Sequence, residues 1–199
     1  MKLVTYEEFL EFDPSWLGDG AARIKSHFER FGGSMSALDI LNLDDVDAED
    51  KLWTVLREEF ISAPILHEFA CVCAECALSL IDSPDPRSVK AIEVKRAWVC
   101  GEATGRELEA ASDDAWDATK VAAMATRVDW EVARAAWEAT SSVAEDAAWE
   151  AASAAFKAAR AAVALAASDA AEKAAWYAAR DITGDAQVAY LIMTLEEEK

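Results

Sequence analysis

From Asp47 onward the apolar positions keep a helical period. Leu52, Val55, Leu56 and Phe60 recur every three or four residues between Asp47 and Phe60, and Ile65, Phe69, Val72, Cys76 and Leu80 do the same in the next segment. This spacing predicts two amphipathic helices. Pro64 suits the first turn of the second helix, and the Asp82 to Pro86 turn closes it. Asp85-Pro86 then opens another helix running to Cys100, with Gly101 as its stop. Residues 1–50 are less regular and read as short helices joined by turns. Thr5 and Glu8 form a capping box, and Gly32-Gly33 ends a helix that contains Arg23 to Arg30.

Beyond Gly101 alanine takes over, at about two residues in five between 103 and 181, and helix propensity is near its maximum. Thr104 with Glu107 and Ser142 with Glu145 supply further capping boxes. Large side chains keep a heptad phase. Trp116, Ala123, Trp130 and Trp137 form one series, and Trp149, Phe156, Val163, Ala170 and Tyr177 another, so two helices are each expected to present one aromatic stripe. Alanine elsewhere lets helices approach closely. A last helix is expected from Asp185 to about Glu197. The expected fold is all-α, a helical bundle with short N-terminal helices and long, alanine-rich, antiparallel C-terminal ones. Residues 1–50 are the irregular part, 51–101 carry the motifs and 102–199 form the alanine-rich helices, within one compact domain. Tryptophans on such a bundle need cover, from the same chain or from a second copy in a homodimer.

Charge narrows the partners. The net charge is −19, with no basic half: residues 1–100 hold 19 acids against 10 bases, and residues 101–199 hold 19 against 9. Such a surface repels nucleic acid and anionic membranes and attracts basic proteins. Asp39, Asp44, Asp45, Asp47, Glu49 and Asp50 concentrate six acids in twelve residues, more than helix capping needs. The opening MKLVTYEEFLEF lacks a basic stretch followed by an apolar one, so the expected location is the cytoplasm, the host's if a phage encodes the chain. The alanine-rich run from Ala151 to Ala167 carries Lys157 and Arg160 and is too polar to span a bilayer.

Candidate chemistry is sparse. His67, Cys71, Cys73 and Cys76 look like zinc ligands, but on one helix His67 and Cys71 lie about 40° apart while Cys73 is roughly 120° from each. They do not converge, and no metal or other cofactor is expected. A cysteine nucleophile needs a base, an orienting group and an oxyanion hole; only His27 and His67 offer a base, so no enzyme activity is expected. A third grouping brings Arg57, Glu58 and Glu59 at one helix end together with His67 and Glu68, and with Arg87, Lys95, Arg96 and Trp98 on a third helix. Arginines beside an indole would suit an anionic aromatic ligand such as a nucleotide; the same residues would equally satisfy an internal salt-bridge network.

The stretches LREEFISAPILHEFACVCAECALSL (56–80) and DPRSVKAIEVKRAW (85–98), followed by the alanine- and tryptophan-rich tail, resemble the Imm-5-like immunity proteins and similar alanine-rich proteins of bacteria and their phages. The resemblance covers about residues 50–181, and Arg57, Glu58, His67, Glu68, Asp85, Arg87, Glu93, Arg96 and Trp98 fall on it. It implies a helical fold and a role in bacterial conflict. The functional expectation is a binding protein of counter-defence or immunity that sequesters a nucleotide-derived signal through Arg57, Glu58, His67, Glu68, Arg87, Arg96 and Trp98. The alternative is an acidic inhibitor that uses the Asp39 to Asp50 cluster against a basic toxin, nuclease or defence effector.

Overall fold

The computed structural model describes residues 2–12, 21–166 and 169–197. Among them the chain is all-α apart from one short ribbon, and it divides into two compact units: Met1–Ser62 with Val188–Lys199, and Ala63–Gln187. Where the sequence pattern changes near residue 50, the structural division falls after Ser62 and takes the end of the last helix into the first unit.

The first unit is built from β1 (Leu3–Thr5), α1 (Tyr6–Glu11), α2 (Ala21–Arg30), β2 (Ser34–Ser36), α3 (Ala37–Leu41) and α4 (Ala48–Val55). The ribbon pairs Val4 with Met35 in antiparallel register, and both side chains are buried. Thr5 and Glu8 make the expected capping box, and Ser36 with Asp39 makes another at α3. Gly32 and Gly33 both take positive φ, so that the Gly33 N–H returns 2.7 Å to the Phe28 carbonyl and closes α2. Phe9 packs on Phe28 at 5.2 Å between ring centroids. The helix expected over 47–60 stops at Val55. Leu56 leaves helical geometry, and a turn brings the Ile61 N–H 2.9 Å from the Arg57 carbonyl, yet Leu52, Val55, Leu56 and Phe60 are all buried as the period requires.

The second unit holds α5 (Ala63–Leu78), α6 (Pro86–Val99), α7 (Gly105–Ala122), α8 (Arg127–Glu138) and α9 (Ala144–Ala166), with α10 (Asp169–Glu197) contributing up to Gln187. α5 is its centre, packed against α6, α8 and α9. That position reverses part of the expected face: Cys76 and Leu80 are exposed, whereas Leu66, Cys71, Cys73 and Ala74 are buried. α6, α7, α8 and α9 pack in sequence order through short connections, the arrangement of an up-and-down bundle. The buried faces of α8 and α9 are rich in alanine, with Ala135, Ala136, Ala147, Ala148 and Ala151 fully buried.

Two expectations are corrected here. The Trp116–Trp137 series is not one helix, because the chain turns at residues 123–126 and Thr126 with Asp129 caps α8. Trp116 on α7 and Trp137 on α8 then meet across the fold, 4.6 Å between ring centroids. The final helix does not begin at Asp185: α10 starts at Asp169 and continues through Gly184, since one glycine costs a helix only about 1 kcal/mol. In the second aromatic series, Val163, Ala170 and Tyr177 lie outside the residues whose side chains are described. No helix among the described residues is long and apolar enough to cross a membrane.

Candidate functional site

The motif-bearing residues of the second unit sit on α5 and α6. Arg87 and Arg96 are nine positions apart, about 180° around a helix, and they serve opposite faces of α6. Arg87 folds onto Asp85, the N-cap of its own helix, with Nε 3.0 Å from Oδ1 and Nη2 2.7 Å from Oδ2. The fork holds the Asp85 carboxyl below its ordinary range. Arg87 also borders a groove of about 580 Å³ between α6 and α7, together with Lys90, Val94, Glu107 and Asp114.

Arg96 faces α5, where it spans Glu68 and Glu75, residues two turns apart on one side of that helix. Its Nη2 donates to Glu68 Oε1 at 2.8 Å and to Glu75 Oε2 at 2.9 Å, Nε reaches Glu68 Oε2 at 3.1 Å, and Nη1 bonds Glu75. The guanidinium is thereby divided between two carboxylates.

Beside this ion-pair layer lies Lys95, which the sequence places in the same grouping without showing that it is buried. Lys95 is 0% exposed; its ammonium donates to the Ser141 carbonyl and lies 4.6 Å from the Trp98 ring centroid. Burial lowers its pKa from 10.5 to about 8. His67, 6% exposed, meets Trp98 edge-on at 5.3 Å, and its Nδ1 is buried without a hydrogen-bond partner. Burial and then the Lys95 charge lower the His67 pKa from 6.5 to about 4. Cys71 is pushed up to about 12 by burial and next by the Glu68 charge, so it remains a thiol at neutral pH. A signal for Lys95 was present: Ser88, Ala91, Ile92 and Lys95 follow the i, i+3, i+4, i+7 stripe, and all four are buried.

Arg57 and Glu58 belong to the first unit. The Arg57 guanidinium lies over Trp53 at 4.5 Å and Phe12 at 5.0 Å, while the Glu58 carbonyl accepts from Lys2 Nζ at 2.6 Å. The acidic stretch is partly consumed by local structure. Asp39 caps α3, Asp45 lies 3.1 Å from His27 Nε2, and Glu49 and Asp50 occupy the first turn of α4, where the helix dipole favours them. Asp44, Asp47 and Glu49 are exposed. Among the described residues no three His, Cys, Asp or Glu side chains group as metal ligands would. Comparison with protein-family models, with curated proteins and with solved structures finds no match.

The neutral buried imidazole has a consequence for acid stability. Folded His67 resists protonation down to about pH 4, whereas the unfolded chain takes the proton at 6.5. The unfolded state therefore binds more protons in that window, and stability falls as the pH drops through it, by about 1.4 kcal/mol per unit. His67→Phe keeps an aromatic edge toward Trp98 and carries no proton. Urea melts from pH 7 to pH 4 are expected to show a shallower acid decline in the variant, and identical slopes would refute the assignment.

Proposed function

We propose that this chain is a non-enzymatic binding protein that engages a basic protein effector through its acidic surface, in the bacterial or phage conflict implied by the Imm-5-like resemblance. One observation carries this reading: two of the three arginines suited to phosphate are already forked onto carboxylates of the chain itself, Arg87 on Asp85 and Arg96 on Glu68 and Glu75. A nucleotide would have to displace those partners. Meanwhile the net charge of −19 leaves an excess of acids for a cationic surface. Association with a basic toxin or nuclease from the same conflict locus should slow at least about tenfold between low and high salt. The triple variant Asp44→Lys, Asp47→Lys, Glu49→Lys should slow it similarly at low salt. Salt-indifferent association would exclude this mode of recognition.

A nucleotide-sequestering reading keeps one observation in its favour, the 580 Å³ groove bordered by Arg87 and Lys90, which is within the size range of small-molecule sites. Calorimetry and tryptophan fluorescence against cyclic nucleotides and ADP-ribose derivatives separate the two. Saturable binding that Arg87→Ala removes favours sequestration, and silence from folded protein favours the acidic inhibitor.

A further inference from the structure

A second pocket in the same unit, of about 240 Å³, opens where the end of α5, the start of α6, the end of α7 and the start of α8 converge. Its apolar walls are Leu78, Ile81, Val121 and Val132 with several alanines, and Ser83, Asp85 and Asp129 add polar groups at its edge. It is larger than the ~150 Å³ cavity that admits benzene in an engineered protein core. Ser88 lines it as well; this residue is 1% exposed and its hydroxyl has no hydrogen-bond partner. Leaving a buried hydroxyl unsatisfied is unfavourable, and a ligand bearing a polar head would relieve it.

The charge around this pocket selects the head. Two helix N-termini point positive ends toward it, but each carries its own acid, Asp85 on α6 and Asp129 on α8. The ends of α5 and α7 add negative partial charge. Asp85 is engaged by Arg87, whereas Asp129 spends only Oδ2 on Thr126 and keeps Oδ1. Among the described residues no lysine, arginine or histidine lines the pocket, and the two acids answer the positive helix ends, so the site favours a cation over an anion.

We propose that this pocket is a binding site for a small organic ammonium with an apolar body, whose head is received by the Ser88 hydroxyl and the Asp129 carboxylate. The site is independent of the acidic-surface reading above. The test is calorimetric titration of the intact chain with phenethylammonium, 2-phenylethanol and phenylacetate, molecules of one shape and three head groups. Saturable binding of the ammonium is expected, with the alcohol about tenfold weaker and the carboxylate silent. Asp129→Asn should weaken the ammonium about tenfold, and Ala122→Phe, which fills the pocket from α7, should abolish binding while leaving the fold intact by circular dichroism. Ser88→Ala should weaken binding several-fold and melt no lower than the parent. No saturable binding by the parent chain, equal affinity for the three head groups, or binding that survives Ala122→Phe would each overturn the site.

Discussion

Lys95→Met is expected to make the folded chain more stable at pH 7, by about 1–3 kcal/mol. The lysine is fully buried, and the fall of its pKa from 10.5 to about 8 measures how poorly its ammonium is compensated, about 3 kcal/mol at most. Methionine fills a similar volume, needs no solvation and packs well on an indole. Because a pKa depressed on folding belongs here to a base, the cost is present in full below pH 8. Between 8 and 10.5 the folded chain has released the proton and the unfolded chain still holds it, so wild-type stability rises with pH there. The gap between variant and wild type, read from urea midpoints, should be widest at pH 7 and close towards pH 10.5. If the variant is less stable at pH 7, the Trp98 and Ser141 contacts outweigh the burial of the charge.

Arg134→Met is expected to have the opposite sign and to cost about 3–5 kcal/mol at neutral pH. Arg134 holds together the acids at the α8–α9 seam. Its Nε lies 3.2 Å from Glu131, which is 1% exposed, and its Nη1 lies 3.3 Å from Glu138 and 3.7 Å from Glu150. Burial already raises the Glu138 pKa against the pull of Arg134. Without the guanidinium, Glu131 keeps only the exposed Arg127, at 3.7 Å. The double variant Arg134→Met, Glu131→Gln should recover most of the deficit. A single variant that melts like wild type would show the network to be solvated.

The helices of residues 63–122 were readable because their stops and starts are chemical: Pro64, the Asp82 to Pro86 turn, Gly101, and the Thr104–Glu107 box. The α7–α8 turn was hidden because alanine on both sides favours helix and no glycine or proline marks the break. Only Thr126 and Asp129 record it, as a cap within what looked like continuous heptads. The ribbon of Leu3–Thr5 with Ser34–Ser36 escaped for another reason: three residues are too few for alternation to show. At the candidate site, pairwise chemistry was legible and direction was not. Arg87, Lys95 and Arg96 look like one cationic group until the helix turns the two arginines to opposite faces and Lys95 takes its place in the buried stripe of α6.

The buried alanines of α8 and α9 give this chain an asymmetric tolerance to change. In a leucine-rich interface a substitution usually removes atoms and leaves a cavity. Where Ala135, Ala136, Ala147, Ala148 and Ala151 are fully buried, almost every substitution except glycine adds atoms instead, and the helices must separate to admit them. Neutral drift at these alanines is therefore confined to the smallest residues.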